Sequence, residues 1–328
     1  MLSILFIYKN KNLAAQFIKH FKLNSYDVYE FYDEEIPYYK LTKLQQLENI
    51  YHRVVKKDTQ QIHKINDKNF SLLTEKKLEQ LKKKNLKFDF CFVIRGDLIP
   101  QNVLEYARTI SAKMIDYQLD GLSVSKKILE YDKLFDQIYV FDKQDVLDYP
   151  NYNLKAITNC FFDESQIKKT IDFSYVGVNT EDRFIILENL YNKLKKINSK
   201  FRINFYLKQD EFHPKESKKL LLLDTSFTYE ECLDLSNQSR VLIDLKREEH
   251  NGLSLRFFEA MNYKSKIITN NQMVREYDFY HPNNIYITDF QNIEGLQEFL
   301  NVPYHEIEGS IVLKYRFDNW IKNIFDIQ

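Results

Sequence analysis

Asn251-Gly-Leu-Ser-Leu-Arg-Phe-Phe-Glu-Ala-Met261, followed by the apolar run Ile267-Ile268-Thr269 and then Asn270-Asn271, reads as a phosphate-binding loop, a helix N-terminus and a strand. Gly252 is one of 6 glycines among 328 residues. A rare glycine just before a helix marks a backbone that turns sharply or comes close to a ligand. Ser254 is placed to cap a helix beginning near Leu255, so that unpaired N–H groups and the positive end of the helix dipole face the loop. Arg256 can add a permanent charge and a forked donor for a diphosphate. Glu259, three residues on and about one turn deeper on the same side, can accept hydrogen bonds from ribose hydroxyls. An ordinary capped amphipathic helix with an Arg256–Glu259 surface pair accounts for the same residues equally well.

Around this stretch, short apolar runs alternate with helical patterns. Ile4–Tyr8, Val28–Phe31, Phe90–Ile94, Lys113–Tyr117 and Gln137–Phe141 read as buried strands. A second series comprises Phe173–Gly177, a helix from about Arg183 to Ile197, Arg202–Leu207, Arg240–Leu245 and Lys266–Thr269. The alternation predicts α/β architecture, with parallel sheets covered on both faces. A chain of 328 residues exceeds the size at which single cores stop growing. Two Rossmann-like domains are therefore expected, residues 1–150 and 151–328, joined near Tyr149-Pro150-Asn151. The segment 36–88 reads as one or two long polar helices inserted in the first domain. The amphipathic, aromatic stretch Tyr315–Phe325 could pack back across that domain.

Formal charge is zero overall, but residues 1–90 hold 17 Lys+Arg against 11 Asp+Glu, an excess of +6 that leaves −6 for the remainder. A basic face of this kind is a solvated surface or a contact for anionic lipid or charged glycan, and nucleic acid is not favoured as a partner. Cys91, Cys160 and Cys232 are far apart and odd in number, which suggests neither a disulfide framework nor a metal cluster and points to a reducing compartment. Met1–Tyr8 lacks a leading basic region and meets Lys9 too soon to span a bilayer, and no segment is long enough to be transmembrane.

In open parallel sheets ligands bind beyond the carboxyl ends of the strands. Arg95-Gly96-Asp97, Gln118, Asp120 and Asp142 follow strands of the first series. Gly177, Lys208, Lys246–His250 and Asn270-Asn271 follow strands of the second. Asp120 could be a general base made stronger by desolvation, or a turn residue before Gly121. Arg183 could point to a phosphate, or pair with Glu181 or Glu188; His250 could contact a donor sugar. There is no Gly-x-Gly-x-x-Gly, no Gly-x-x-x-x-Gly-Lys-Ser/Thr and no Gly-x-Ser-x-Gly, which counts against dinucleotide binding, P-loop hydrolysis and α/β-hydrolase chemistry. Asp-x-Asp, the usual metal-diphosphate anchor of single-domain nucleotide-sugar transferases, is also absent.

Taken in order, Tyr117-Gln-Leu-Asp120, Ile138-Tyr-Val-Phe-Asp142, Phe173-Ser-Tyr-Val-Gly177 with Arg183, Ser239–Asp244, Gly252-Leu-Ser-Leu-Arg-Phe-Phe-Glu259 and Ile267–Asn271 resemble the two-domain GT-B glycosyltransferases of bacterial surface-polysaccharide biosynthesis, lipopolysaccharide and capsule among them. The resemblance covers roughly residues 90 to 325. It implies two Rossmann-like domains facing across a cleft. A nucleotide-sugar donor would be held by the second, and a glycan or lipid-linked glycan acceptor by the first. The resemblance implies no obligatory metal, and no cofactor is expected; the cysteines and the basic N-terminal helices, read by themselves, point to a cytoplasmic location with peripheral contact at the inner face of an anionic membrane. Carried over, Glu259 is the ribose carboxylate, with Gly252, Ser254 and Arg256 near the diphosphate; by their places after strands or beside the loop, Gly177, Arg183, Lys208, His250, Asn251, Leu253 and Asn270 are read toward the donor. Arg95, Asp97, Tyr117 and Asp142 lie toward the acceptor, with Asp120 and Glu259 as the catalytic pair. Many retaining members carry a second glutamate eight residues before the one matched by Glu259. Asn251 stands there, so retention or inversion stays open. A catalytically silent GT-B-like subunit binding a glycan or a partner, and a transferase moving a phosphorylated polyol from a CDP-linked donor, use the same loop.

Overall fold

The computed structural model describes residues 1–32, 41–56, 61–162, 166–209, 217 and 219–327. Residues 36–40 and 57–60 of the expected helical insertion lie outside the described residues. The chain forms two compact units, Met1–Tyr139 with Tyr149–Lys155, and Val140–Asp148 with Ala156–Gln328. Where the sequence alone suggests a single join near Tyr149-Pro150-Asn151, the chain crosses between units at Tyr139, Asp148 and Lys155. Within the second unit, Asp142 Oδ2 accepts a hydrogen bond from the Asn251 backbone N–H at 2.5 Å, which ties the Val140–Asp148 segment to that unit.

Strands β1 (Ser3–Tyr8), β2 (Asp27–Glu30), β3 (Phe88–Ile94), β4 (Ser111–Gln118), β5 (Gln137–Val140) and β6 (Leu154–Ala156) form one sheet in the order β2-β1-β3-β4-β5-β6. Strands β7 (Ile171–Val178), β8 (Ile203–Lys208), β9 (Leu221–Leu223), β10 (Ser239–Asp244), β11 (Lys266–Thr269) and β12 (Ile285–Ile287) form the second, β12-β11-β10-β7-β8-β9. Both sheets are parallel, with Leu5 beside Cys91 in the first and Ile243 beside Ile268 in the second. Parallel strands covered on both faces read as continuous apolar runs, and Ile4, Leu5, Phe6 and Ile7 are all fully buried. The strands not expected from sequence are β6, β9 and β12, each of three residues at a sheet edge. Such strands carry too short a pattern to register.

Alternation along β10 divides the second core. Val241 and Ile243 face a cluster with Phe173, Leu187 and Phe205, while Leu242 faces another with Phe257, Phe258 and Tyr315. The C-terminal helix Phe317–Phe325 buries Phe317, Trp320, Ile321, Ile324 and Phe325. It counts with the second unit, where the Trp320 indole N–H donates to the Thr158 carbonyl at 2.7 Å. Among the described residues no helix is long and apolar enough to cross a membrane.

The turn after β3 is built around one buried acid. Arg95 takes a left-handed conformation (φ 58°, ψ 61°). Asp116 of β4 accepts the next N–H, that of Gly96, at 2.8 Å on Oδ1 and the Gln118 amide at 2.8 Å on Oδ2. A Cβ on Gly96 would stand 2.6 Å from Asp116 Oδ1, so only glycine fits. Asp116 is fully buried, and burial pushes its carboxyl up to about 8 against the two hydrogen bonds that favour the anion. The folded-state pKa therefore lies above the unfolded value of about 4. Its stabilising contribution is complete below about pH 4 and is lost as pH rises to about 8. Asp116→Asn keeps the shape and abolishes the titration, and Gln118 can turn its amide to meet the new donor. The stability of the variant relative to wild type, from urea unfolding, is expected to rise between about pH 4 and 8 and then level off. A difference constant with pH would overturn the assignment.

Candidate functional site

In the second sheet the chain runs outward from β7 to β9 and then, in the opposite direction, from β10 to β12. The neighbours β7 and β10 thus bracket the topological switch point, where their C-terminal ends open a crevice. A cavity of about 250 Å³ lies there. Its walls come from Tyr175–Val178 at the end of β7, Asp244–Arg247 after β10, and residues of the Asn251–Arg256 loop. Arg183, Lys246, Arg247 and Arg256 line it against one carboxylate, Asp244, so the cavity suits an anion.

Asp244 organises the loops. Buried at the last position of β10, it accepts from Ser254 Oγ at 2.6 Å and from Arg256 at 3.4 Å on Oδ1, and from Thr269 Oγ1 at 3.0 Å on Oδ2. The capping role expected of Ser254 is corrected here. Ser254 does occupy the N-cap of the Leu255–Asn262 helix, but its hydroxyl goes to Asp244 and makes no capping hydrogen bond. Within the first turn the Phe257 N–H goes to the Ser254 carbonyl at 3.2 Å, and with no side chain capping the helix its positive dipole end is left to the crevice.

Arg256 is held from three sides: by Asp244, by the Val176 carbonyl at 2.9 Å, and by the Tyr175 ring 5.4 Å beneath the guanidinium. Tyr175 and Gly177 share one face of β7. A Cβ on Gly177 would stand 2.3 Å from the Tyr175 hydroxyl, so this glycine exists to let the tyrosine lie flat under Arg256. Arg183, at the start of the Glu181–Ile197 helix, reaches the Val178 carbonyl at 3.5 Å and lines the same cavity. Its surroundings thus fit the phosphate-facing alternative.

Gly252, which lines the cavity, also has a packing reason to be glycine. A Cβ there would meet Phe141 Cδ2 at 2.4 Å and the Phe141 carbonyl at 2.8 Å, so the loop passes too close to Phe141 for any side chain. Asn271 reaches back toward the loop, 3.3 Å from the Gly252 carbonyl and 3.4 Å from that of Asn251, while Lys246 Nζ donates to Asn251 Oδ1 at 2.8 Å. Asn270, expected at the donor, accepts from the Lys246 backbone N–H at 2.8 Å and stitches the ends of β10 and β11 together. Leu253 is a core residue with 1 % exposure, not a lining one. Lys208 pairs with Val178 across the sheet, but its side chain is not among the walls of the cavity. His250 lines the cavity edge-on to Phe141, and burial holds its pKa below the usual histidine range.

Glu259 is 5 % exposed and accepts from the Tyr229 hydroxyl at 2.8 Å and from Ser236 Oγ at 3.0 Å. The Arg256–Glu259 surface pair is thereby ruled out, since each partner is engaged elsewhere and Glu259 is buried. Glu259 lines a second cavity, which shares Tyr175, Val176, Ser254 and Arg256 with the first. Burial pushes its carboxyl upward, with Arg256, Tyr229 and Ser236 opposing.

In the first unit, Arg95 forks onto Asp97 at 2.8 Å on both oxygens and also grips Asp120. Asp120, expected as a general base or a turn residue, is ion-paired with Arg95 and about one third exposed, and the strongly desolvated acid nearby is Asp116. Tyr117 is 1 % exposed, and its carbonyl accepts the Arg95 N–H at 3.1 Å. Asp142, expected toward an acceptor in the first domain, belongs to the second unit, where it clamps the Asn251 N–H. Its placement after an apolar strand concealed this partner 109 residues away. Asp244, Tyr175, Asn271 and Asp142 are the residues whose part in building this site sequence reasoning missed. The available signals were an acid closing an apolar strand and a tyrosine two residues before a strand glycine. Among the described residues no group of three or more His, Cys, Asp or Glu could hold a metal ion.

No protein-family model matches the chain, and no curated protein matches it. Solved structures do share its fold. An α,α-trehalose-phosphate synthase (UDP-forming) from Burkholderia xenovorans, in complex with glucose-6-phosphate, aligns with TM-score 0.59 at 11% identity, over 99% of this chain and 99% of that one. An α-glucosyltransferase in complex with UDP and a 13-mer DNA containing an HMU base aligns with TM-score 0.57 at 10% identity, over 99% and 98%. A trehalose-6-phosphate structure from E. coli bound with UDP-2-fluoro glucose aligns with TM-score 0.56 at 10% identity, over 99% of each chain. The likeness extends over the whole length and establishes the fold: a two-domain α/β chain of GT-B architecture.

Proposed function

We propose that the chain is a glycosyltransferase that binds a nucleoside-diphosphate sugar in the β7/β10 crevice and moves the sugar to a hydroxyl of a bacterial surface glycan, in the cytoplasm and without a bound metal or cofactor. One observation carries the reading. Arg183, Lys246 and Arg256 line, together with the open helix N-terminus at Ser254, a cavity at the topological switch point, and its only lining carboxylate, Asp244, is turned to Ser254, Arg256 and Thr269. Neighbours of the same fold carry UDP and UDP-2-fluoro glucose, so uridine diphosphate is the first nucleotide to test. In the transfer, the bond from the anomeric carbon to the diphosphate breaks with its electron pair on the departing oxygen. The cations and the helix dipole then stabilise that charge. The acceptor oxygen bonds the anomeric carbon and gives up its proton. We assign the proton to Asp120, a carboxylate positioned by Arg95. The diphosphate would occupy the cavity lined by Arg183 and Arg256, and the ribose the adjoining one lined by Glu259.

A silent binding subunit is the second reading, favoured by the engagement of both proposed catalytic carboxylates, Asp120 by Arg95 and Glu259 by Tyr229 and Ser236. It requires binding of a glycan or a partner protein with no consumption of UDP-sugar in the presence of glycan acceptors.

Calorimetric titration with UDP tests the site. Arg183→Ala is expected to lower affinity by about ten- to a hundredfold, the loss of one charge-assisted hydrogen bond. Its thermal unfolding should be unchanged, because the residue is partly exposed and its contact with Val178 is long. Equal affinity in wild type and variant would remove Arg183 from the site, and no UDP binding by the wild-type protein would overturn the uridine assignment. Gly252→Ala is expected to destabilise the second unit by about 1–3 kcal/mol through overpacking against Phe141 and to weaken UDP binding as the loop shifts. Wild-type melting together with wild-type affinity would refute that account of Gly252.

A further inference from the structure

In the first unit the helix Lys43–Val54 is turned inside out. None of its residues is buried. The side toward the neighbouring helix Gln61–Lys84 is polar, with Gln45 donating to Asn69 at 2.9 Å and Glu48 accepting from Gln61 at 2.7 Å. The apolar residues stand on the other side. Leu44 is 79% exposed, Leu47 64%, Tyr51 51%, Val54 66% and Val55 63%. Their spacing of three, four and seven places them in one stripe along a helix about 18 Å long. Solvated helices show water the opposite face. A capping box closes the N-terminus, Thr42 and Gln45 each bonding the other's backbone N–H, so this is a specified helix and not a frayed loop.

We propose that this stripe is a docking surface for an anionic lipid bilayer, on which the helix lies in the plane of the interface. Charge selects this occupant over a second copy of the chain. Residues 43–56 carry Lys43, Arg53 and Lys56 against Glu48, and the adjoining helix carries seven lysines against three acids. A self-complementary dimer would bring these cations face to face, whereas anionic headgroups neutralise them. Lys56 stacks over the Tyr51 ring at 5.6 Å, setting a cation and an amphipathic aromatic side by side, as suits the headgroup boundary. The helix is too short to span a bilayer and long enough to lie on one. This inference stands apart from the nucleotide site, which belongs to the second unit.

Vesicle co-sedimentation tests it, using phosphatidylcholine vesicles with and without phosphatidylglycerol. The wild-type chain is expected to bind the anionic vesicles at low salt and to lose most of that binding as the Debye length falls from about 14 to about 4 Å. Leu44→Ser combined with Leu47→Ser and Val54→Ser should weaken binding at least about tenfold while leaving the melting temperature and UDP titration at wild-type values. The charge variant Lys43→Glu with Arg53→Glu should lose the preference for phosphatidylglycerol. Absence of binding at low salt, or undiminished binding by the triple serine variant, overturns the proposal. A wild-type dimer in light scattering that the triple variant converts to monomer, without vesicle binding, overturns it in favour of self-association. Vesicle binding without UDP binding would instead sink the nucleotide reading and leave this one standing.

Discussion

The crevice between β7 and β10 depends on the buried carboxylate of Asp244. It sits at the last residue of β10, fully inside the second unit, and takes hydrogen bonds from Ser254 and Thr269 and the more distant charge of Arg256. Three segments distant in sequence are thereby held at one point: the end of a strand, the start of a helix and the end of the next strand. A buried anion without such partners would cost several kcal/mol, so satisfying it leaves the surrounding loops few alternatives. The same interaction withdraws the Ser254 hydroxyl from the helix it would otherwise cap. The open helix N-terminus at the crevice is a consequence of satisfying the acid.

Close approach explains three of the glycines, whereas Gly295, with φ 79° and open space around it, is there for backbone freedom. Gly96, Gly177 and Gly252 face Asp116, Tyr175 and Phe141 at distances no Cβ could tolerate, and none of the three takes a positive φ. Each lets a larger group press against the main chain beside a residue or loop of the crevice or the β3 turn: Arg95, Arg256 and the Asn251 loop. In a chain so poor in glycine, their placement follows the packing of neighbouring side chains more than the demands of turns.

The buried acids divide by their partners. Asp116 and Glu259 both lie in dry surroundings and both rise in pKa for that reason. Asp116 receives a backbone N–H and an amide, and so anchors a turn; Glu259 receives two hydroxyls and lines a cavity. Desolvation alone therefore does not separate a carboxylate closed inside a turn from one that lines a cavity. The neighbouring space does. The Lys43–Val54 helix gives the converse lesson at the surface, since its apolar side chains face water while its polar ones make the tertiary contacts.

Sequence by itself determined the sheet cores, because parallel strands must be apolar on both faces. The runs Ile4–Tyr8, Phe90–Ile94, Phe173–Gly177 and Lys266–Thr269 therefore carry their own signature. It also singled out the Gly252–Glu259 block, whose glycine, serine, arginine and glutamate spacing is local. The edge strands β6, β9 and β12 escaped it, since three residues hold too little periodicity. What only the tertiary structure decided is which polar groups meet. Ser254 could have capped its helix and Arg256 could have paired with Glu259, for both options are local. Instead they turn to Asp244, while Glu259 turns to Tyr229 and Asp142 to Asn251. Local spacing enumerates the possible partners of a polar side chain. Burial makes an unsatisfied group costly, and so the packing of distant segments selects among them.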